Sequence, residues 1–209
     1  LEQIIVDIPV PPLIKEELED VHHLQPLNFA GMPDTEHNVQ VSYIRNPTGV
    51  RGTTAVVGTM AAGKSTYLEK RIQEYTSAIV YVPRIDTRSA NFIRTYRGTS
   101  IPAVRLDHLR DLATILQTSV SDTRNVLIVV DECHLFSESD WQDLFSSFRI
   151  NPIPSNVELI LAGIWRGYLG KPMKWHAEVA KKIIMLRQSC VHCGAEYAET
   201  NYVSRHVWP

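Results

Sequence analysis

The stretch Gly58-Thr59-Met60-Ala61-Ala62-Gly63-Lys64-Ser65-Thr66 constrains the fold more than any other part of the chain. It matches G-x-x-x-x-G-K-[ST]. The run before it, Thr53-Thr54-Ala55-Val56-Val57, is short, β-branched and apolar and reads as a buried parallel strand. The run after it, Tyr67 to Tyr75, carries apolar residues at helical spacing. Strand, glycine loop and helix in that order are the context the motif requires. Glycines let backbone N–H groups turn inward around phosphate oxygens, and the helix N-terminus adds partial positive charge. The predicted cradle is Gly58, Met60, Ala61, Ala62, Gly63 and Thr66, with Lys64 on the β/γ-phosphates and the Ser65 hydroxyl on Mg²⁺. A tight turn matching by chance is the competing reading, and lysine and hydroxyl at both required places argue against it. The predicted ligand is a nucleoside triphosphate.

With 209 residues the chain can bury one large domain, or one domain with an appendage. Its 44% hydrophobic and 21% charged content is that of a globule. A net charge of −2 gives no footing for a nucleic-acid surface, which would need clustered excess Lys and Arg. No apolar run reaches membrane-spanning length and no charged-then-apolar leader opens the chain, so no membrane partner is expected. The first residue is Leu1 rather than Met, which suggests a processed or partial product. Three cysteines, two of them in Cys190-x-x-Cys193, suggest a metal site in a reducing, cytoplasmic compartment more than a disulfide framework.

Residues 1–51 differ in character from the remainder of the chain. Pro9, Pro11, Pro12, Pro26, Pro33 and Pro47 punctuate them, a density that prevents long helices and central strands. They read as an extended arm. From Thr53 onward β and α patterns alternate: strands at Ala78–Val82, Asn125–Val130 and Val157–Ala162, and helices at Leu106–Thr118 and Asp140–Phe148. That alternation specifies an α/β fold, a three-layer parallel sheet whose ligand sites lie at the carboxyl ends of the strands. The expected division is an arm at 1–51, the nucleotide-binding domain at 52–186 and a small appendage at 187–209.

Asp131-Glu132 comes directly after an apolar strand. An aspartate there holds Mg²⁺ opposite a phosphate loop, and Glu132 beside it is placed to accept a proton from an attacking hydroxyl or water. Two solvated acids ending a strand are the bland alternative. Asp131-Glu132-Cys133-His134 also resembles the second motif of certain viral helicases, but such an ATPase needs a second motor domain for which the chain has no room.

Downstream, Leu161-Ala162-Gly163-Ile164-Trp165-Arg166-Gly167-Tyr168-Leu169-Gly170-Lys171-Pro172-Met173 resembles the G-L-D-x-x-[FY]-x-x-x-P-F loop of the type II thymidine kinases. The Gly58-Thr59-Met60 opening, Asp86-Thr87-Arg88, Asp131-Glu132-Cys133-His134-Leu135-Phe136 and Cys190-Val191-His192-Cys193 are similar to other motifs of that family, in its order. The likeness runs from about Gly52 to Tyr202. It implies ATP-dependent phosphorylation of a thymidine-like 5′-hydroxyl, with Glu132 as general base, Arg88 steadying the transferring phosphoryl group and Asp131 at the Mg²⁺. It further implies a substrate pocket shaped by Met60, Asp86, Ile164, Tyr168, Met173 and Thr200, and a homo-oligomer or a place in a larger assembly.

Trp165 stands where the family has aspartate, and Met173 replaces an aromatic. These departures, with the foreign N-terminal arm, support an alternative: a catalytically altered domain that serves as an NTP-binding or structural module of a larger protein, such as a viral one. The resemblance also implies a structural Zn²⁺ in a C-terminal ribbon. Cys190 and Cys193 are half of a tetrahedral site and His206 is the further ligand available. Only residues 194–209 come after the pair, too few for the family's hairpin lasso and its return strand. The ribbon is therefore expected to be incomplete and the acceptor site open on one side.

Overall fold

The computed structural model describes residues 40–59, 62–87, 91–95, 98–118, 125–164 and 175–187. Among the described residues seven strands form one sheet. In chain order these are β1 (Gln40–Arg45), β2 (Val50–Gly58), β3 (Ser77–Pro83), β6 (Val104–Leu106), β7 (Val126–Val130), β8 (Val157–Gly163) and β9 (Ala180–Arg187). Their spatial order is β1-β9-β2-β8-β7-β3-β6. Every pairing is parallel except that of the edge strand β1, which runs antiparallel to β9. Two further strands, β4 (Phe92–Arg94) and β5 (Ser100–Pro102), make a separate antiparallel hairpin. The helices are α1 (Lys64–Gln73), α2 (Asp111–Thr118), α3 (Glu138–Ile150) and the short α4 (Trp175–Val179).

Strand alternation builds the three layers. On one face Ile128, Val130, Leu159 and Leu161 pack with Leu112, Leu116, Trp141, Leu144 and Phe148 of α2 and α3. On the other, Val56, Leu127, Val129 and Ile160 pack with Leu68 of α1. All five residues of β7 are buried, as both faces of a parallel sheet require. The fold is the expected α/β fold around a mostly parallel sheet. The expected zinc ribbon lies outside the described residues.

Two local expectations are corrected. Leu106 does not begin a helix: it ends β6, pairs with Pro83, and its carbonyl accepts from the Arg84 N–H. Leu106, Leu109 and Leu112 share a three-residue spacing that mimics a helix face, yet α2 starts only at Asp111. Second, residues 40–51 are no arm: β1 and the start of β2 belong to the main sheet, with Gln40 to Arg45 paired against Arg187 to Lys182. Being an edge strand, β1 does not conflict with the prolines around it. The Lys-Lys-bearing stretch at 180–187, for which the sequence gives no reading, is a strand between β1 and β2.

Candidate active site

The carboxyl ends of β2, β3, β7 and β8 all point to the same edge of the sheet, because those strands are parallel. β2 delivers the phosphate loop there. Gly58 must lack a side chain, since a Cβ would sit 2.5 Å from the Leu186 carbonyl oxygen of β9. Gly63 serves a different need: its φ of 87° is left-handed, which turns the chain into α1. The first helical bond runs from Tyr67 N–H to the Gly63 carbonyl at 2.9 Å, and the first turn holds no carboxylate to compete for an anion. Ala62 and Thr66 are buried.

Lys64 is buried at 8% exposure, and its ammonium donates to the carbonyls of Thr59 at 2.7 Å and Gly58 at 3.1 Å. The cation is thereby tethered inside the loop by backbone oxygens. Ser65, the next residue, lines a cavity of about 170 Å³ together with Val82, Asp86, Phe92, Ile93, Arg94, Asp131 and Glu132. Four of the residues that the sequence motifs indicate (Ser65, Asp86, Asp131 and Glu132) therefore meet at one cavity.

β7 positions the acids. Asp131 is buried, its N–H donates to the Tyr81 carbonyl at 2.9 Å, and its Oδ1 accepts from the Glu132 N–H at 2.9 Å. Glu132 has φ 52°, the one left-handed non-glycine among the described residues, a conformation that costs of order 1 kcal/mol or more. The turn throws its side chain toward the cavity before a 3₁₀ turn, Cys133–Leu135, closes the connection. Cys133 is fully buried, and burial, together with the Asp131 and Glu132 charges, pushes its thiol well up, so it is neutral packing rather than a nucleophile. Asp86 lies just beyond β3, and Arg105 of β6 holds its loop by donating to the carbonyls of Pro83 and Asp86.

The sequence places His134 within a motif but indicates no role for it. Its Nδ1 accepts from the Ile164 N–H at 3.4 Å, so the neutral ring carries its proton on Nε2, which lies 3.5 Å from Glu132 Oε2. Ile164, expected in the substrate pocket, thus meets the glutamate through a histidine. Deeper in, His176 of α4 is buried beside Trp141, ring centroids 6.4 Å apart, with Nε2 lacking any partner among the described residues. Nothing in the sequence signalled that burial.

Arg88, Met60, Ala61, Trp165, Tyr168, Met173, Thr200, Cys190, Cys193 and His206 all lie outside the described residues. Among the described residues no three His, Cys, Asp or Glu side chains cluster to cage a metal ion. No described helix is long and apolar enough to cross a membrane.

Comparison with known proteins adds an independent line. A family model described as thymidine kinase matches residues 53–206. A thymidine kinase of Ureaplasma urealyticum is 29% identical over 149 residues, covering 68% of this chain and 64% of that protein. One from Ureaplasma parvum is 28% identical over the same shares, so the chain spans 64% of the length of each of these relatives. One from Pyrobaculum aerophilum is 27% identical over 153 residues, covering 69% of this chain and 78% of that protein. The family match takes in both the phosphate loop and the Asp131-Glu132 turn that the fold brings to one cavity: the chain belongs to the thymidine kinase family.

Proposed function

We propose that this chain transfers the γ-phosphoryl group of ATP to the 5′-hydroxyl of a thymidine-like deoxynucleoside. The observation that carries the reading is the shared cavity, which Ser65 of the phosphate loop, Asp131 and Glu132 all line. Phosphoryl transfer demands positioning, charge neutralisation and an oriented hydroxyl, and these residue types supply all three.

Lys64, the Gly58–Thr66 loop and the start of α1 bind the phosphates. The Ser65 hydroxyl and the Asp131 carboxylate fit Mg²⁺, a hard ion that takes oxygen donors and is usually held by one or two protein groups plus substrate phosphates. When bound, Mg²⁺ neutralises charge on the β- and γ-phosphates. Glu132 takes the proton from the acceptor hydroxyl, held by its strained turn and by the His134 N–H. Asp86, on a loop tied down by Arg105, orients the acceptor. The family resemblance adds Arg88 on the transferring group and Met60, Ile164, Tyr168, Met173 and Thr200 around the base. The same resemblance supports Zn²⁺ on Cys190, Cys193 and His206, donors of the chemistry zinc prefers, and self-association of the chain.

The test is phosphoryl transfer from ATP and Mg²⁺ across a panel of deoxynucleosides, with products resolved chromatographically. The expected result is a 5′-monophosphate formed from a pyrimidine deoxynucleoside. ATP binding with no nucleoside phosphorylated would reject the kinase reading in favour of a nucleotide-binding module.

A further inference from the structure

We infer that Arg94 is a phosphate-contacting residue of this site, holding the γ-phosphate of the bound triphosphate from a wall that the phosphate loop does not form. The inference rests on the nucleotide-binding reading of the site and extends it to a residue outside the sequence motifs.

The placement comes from β4. Ile93 is buried in the core with Ile101 opposite it on β5. Strand alternation turns Phe92 and Arg94 to the side opposite Ile93, and all three residues of the strand line the cavity with Ser65, Asp131 and Glu132, Arg94 being the cation among them. The hairpin is secured by the Phe92↔Pro102 register and by hydrogen bonds from Thr95 N–H to the Thr99 carbonyl and Ala103 N–H to the Asn91 carbonyl, at 2.9 and 2.8 Å. The guanidinium lies 5.0 Å from the centre of the Phe92 ring, an attractive cation–π geometry that limits its wandering.

Arg94 is exposed, and its contact within the described residues is this ring rather than a carboxylate. Three carboxylates, Asp86, Asp131 and Glu132, share its cavity. A triphosphate entering beside these acids is favoured by every cation at the site, and a guanidinium on the hairpin wall adds to the Mg²⁺ proposed at Ser65 and Asp131 and to Lys64. Lys64 lies on the loop side, whereas Arg94 sits on the hairpin. A guanidinium there presents a fork of N–H donors to phosphate oxygens, and in the proposed reaction the γ-phosphate is the group that passes from the Ser65 side of the cavity to the hydroxyl served by Glu132.

The experiment measures MgATP and MgADP affinities calorimetrically for the unmodified chain, Arg94→Ala, Arg94→Gln and Arg94→Lys, with thermal melts to verify folding. Expected is a loss of ATP-over-ADP preference of about tenfold in Arg94→Ala and Arg94→Gln, partial retention in Arg94→Lys, and MgADP affinity within about twofold throughout. An unchanged preference, or equal loss for both nucleotides, overturns the inference even if nucleoside phosphorylation is intact. An Arg94-dependent preference in a chain that phosphorylates no nucleoside upholds the inference and rejects the kinase reading. Failure of the unmodified chain to bind MgATP overturns both. Should Arg94→Ala melt early, Arg94→Gln, which keeps most of the side-chain length, decides the matter.

Discussion

His176 makes the acid stability of this fold predictable. It is 1% exposed and lies against Trp141. Burial first, then the charge His134 carries once protonated and that of Lys64, lower its pKa from 6.5 to about 3. The folded state therefore keeps the imidazole neutral over a range in which the unfolded chain protonates it. A base whose folded pKa is depressed stabilises fully above the unfolded value and loses stability as pH falls, here from 6.5 down to about 3. The slope in that window is about 1.4 kcal/mol per pH unit, so lowering the pH from about 7.5 to about 5 removes about 2 kcal/mol through this one residue. His176→Phe removes the titration and also the Nε2 that has no partner among the described residues, a buried polar atom worth about 1–3 kcal/mol when unsatisfied. Urea unfolding of both proteins at each pH, monitored by circular dichroism, isolates the contribution, because carboxylates titrating in the same window are common to both. The expected result is a pH-dependent loss smaller by about 2 kcal/mol in His176→Phe. Equal losses in the two proteins would show that the imidazole is protonated in the fold and refute the reasoning.

The site itself yields four more outcomes. Lys64→Ala should abolish nucleotide binding, measured calorimetrically, while leaving the melting temperature near that of the unmodified chain, since its ammonium bonds to loop carbonyls. Glu132→Gln should retain ATP binding but lower turnover by about 10²-fold, the scale for losing a general base; an unchanged kcat assigns Glu132 to structure alone. His134→Ala should lower kcat by about tenfold with ATP affinity retained, and His134→Gln, which restores an N–H donor, should recover part of it; equal kcat in both variants would show that the Glu132 contact is idle. Gly58→Ala should destabilise by about 2 kcal/mol or more in urea unfolding, because the added carbon meets a carbonyl of β9.

The phosphate loop, the acids after β7 and the α/β class were legible in the sequence because each is a local pattern. A run of five buried apolar residues from Val126 to Val130 needs both faces covered whatever its neighbours are, and glycines beside a lysine and a hydroxyl declare their turn. What the sequence could not decide is where pairing partners at long range override local spacing. Leu106 has the period of a helix but pairs with Pro83, and Ala180–Arg187 carries two lysines yet lies between two strands. Gln40–Arg45 is a strand only because residues 182–187 provide its ladder from the far end of the chain. The same holds in the site. That Asp86, Asp131 and Ser65 share a cavity was an expectation of motif order, whereas Phe92 and Arg94 reach it through a three-residue strand with too short a pattern to read. His134 becomes a support for Glu132 only when β8 places the Ile164 N–H against its ring, and His176 becomes a buried neutral base only when Trp141 packs beside it. Local chemistry selects the turn and the acid, while burial and cross-strand contact, which are properties of the whole packed sheet, select which side chains face them.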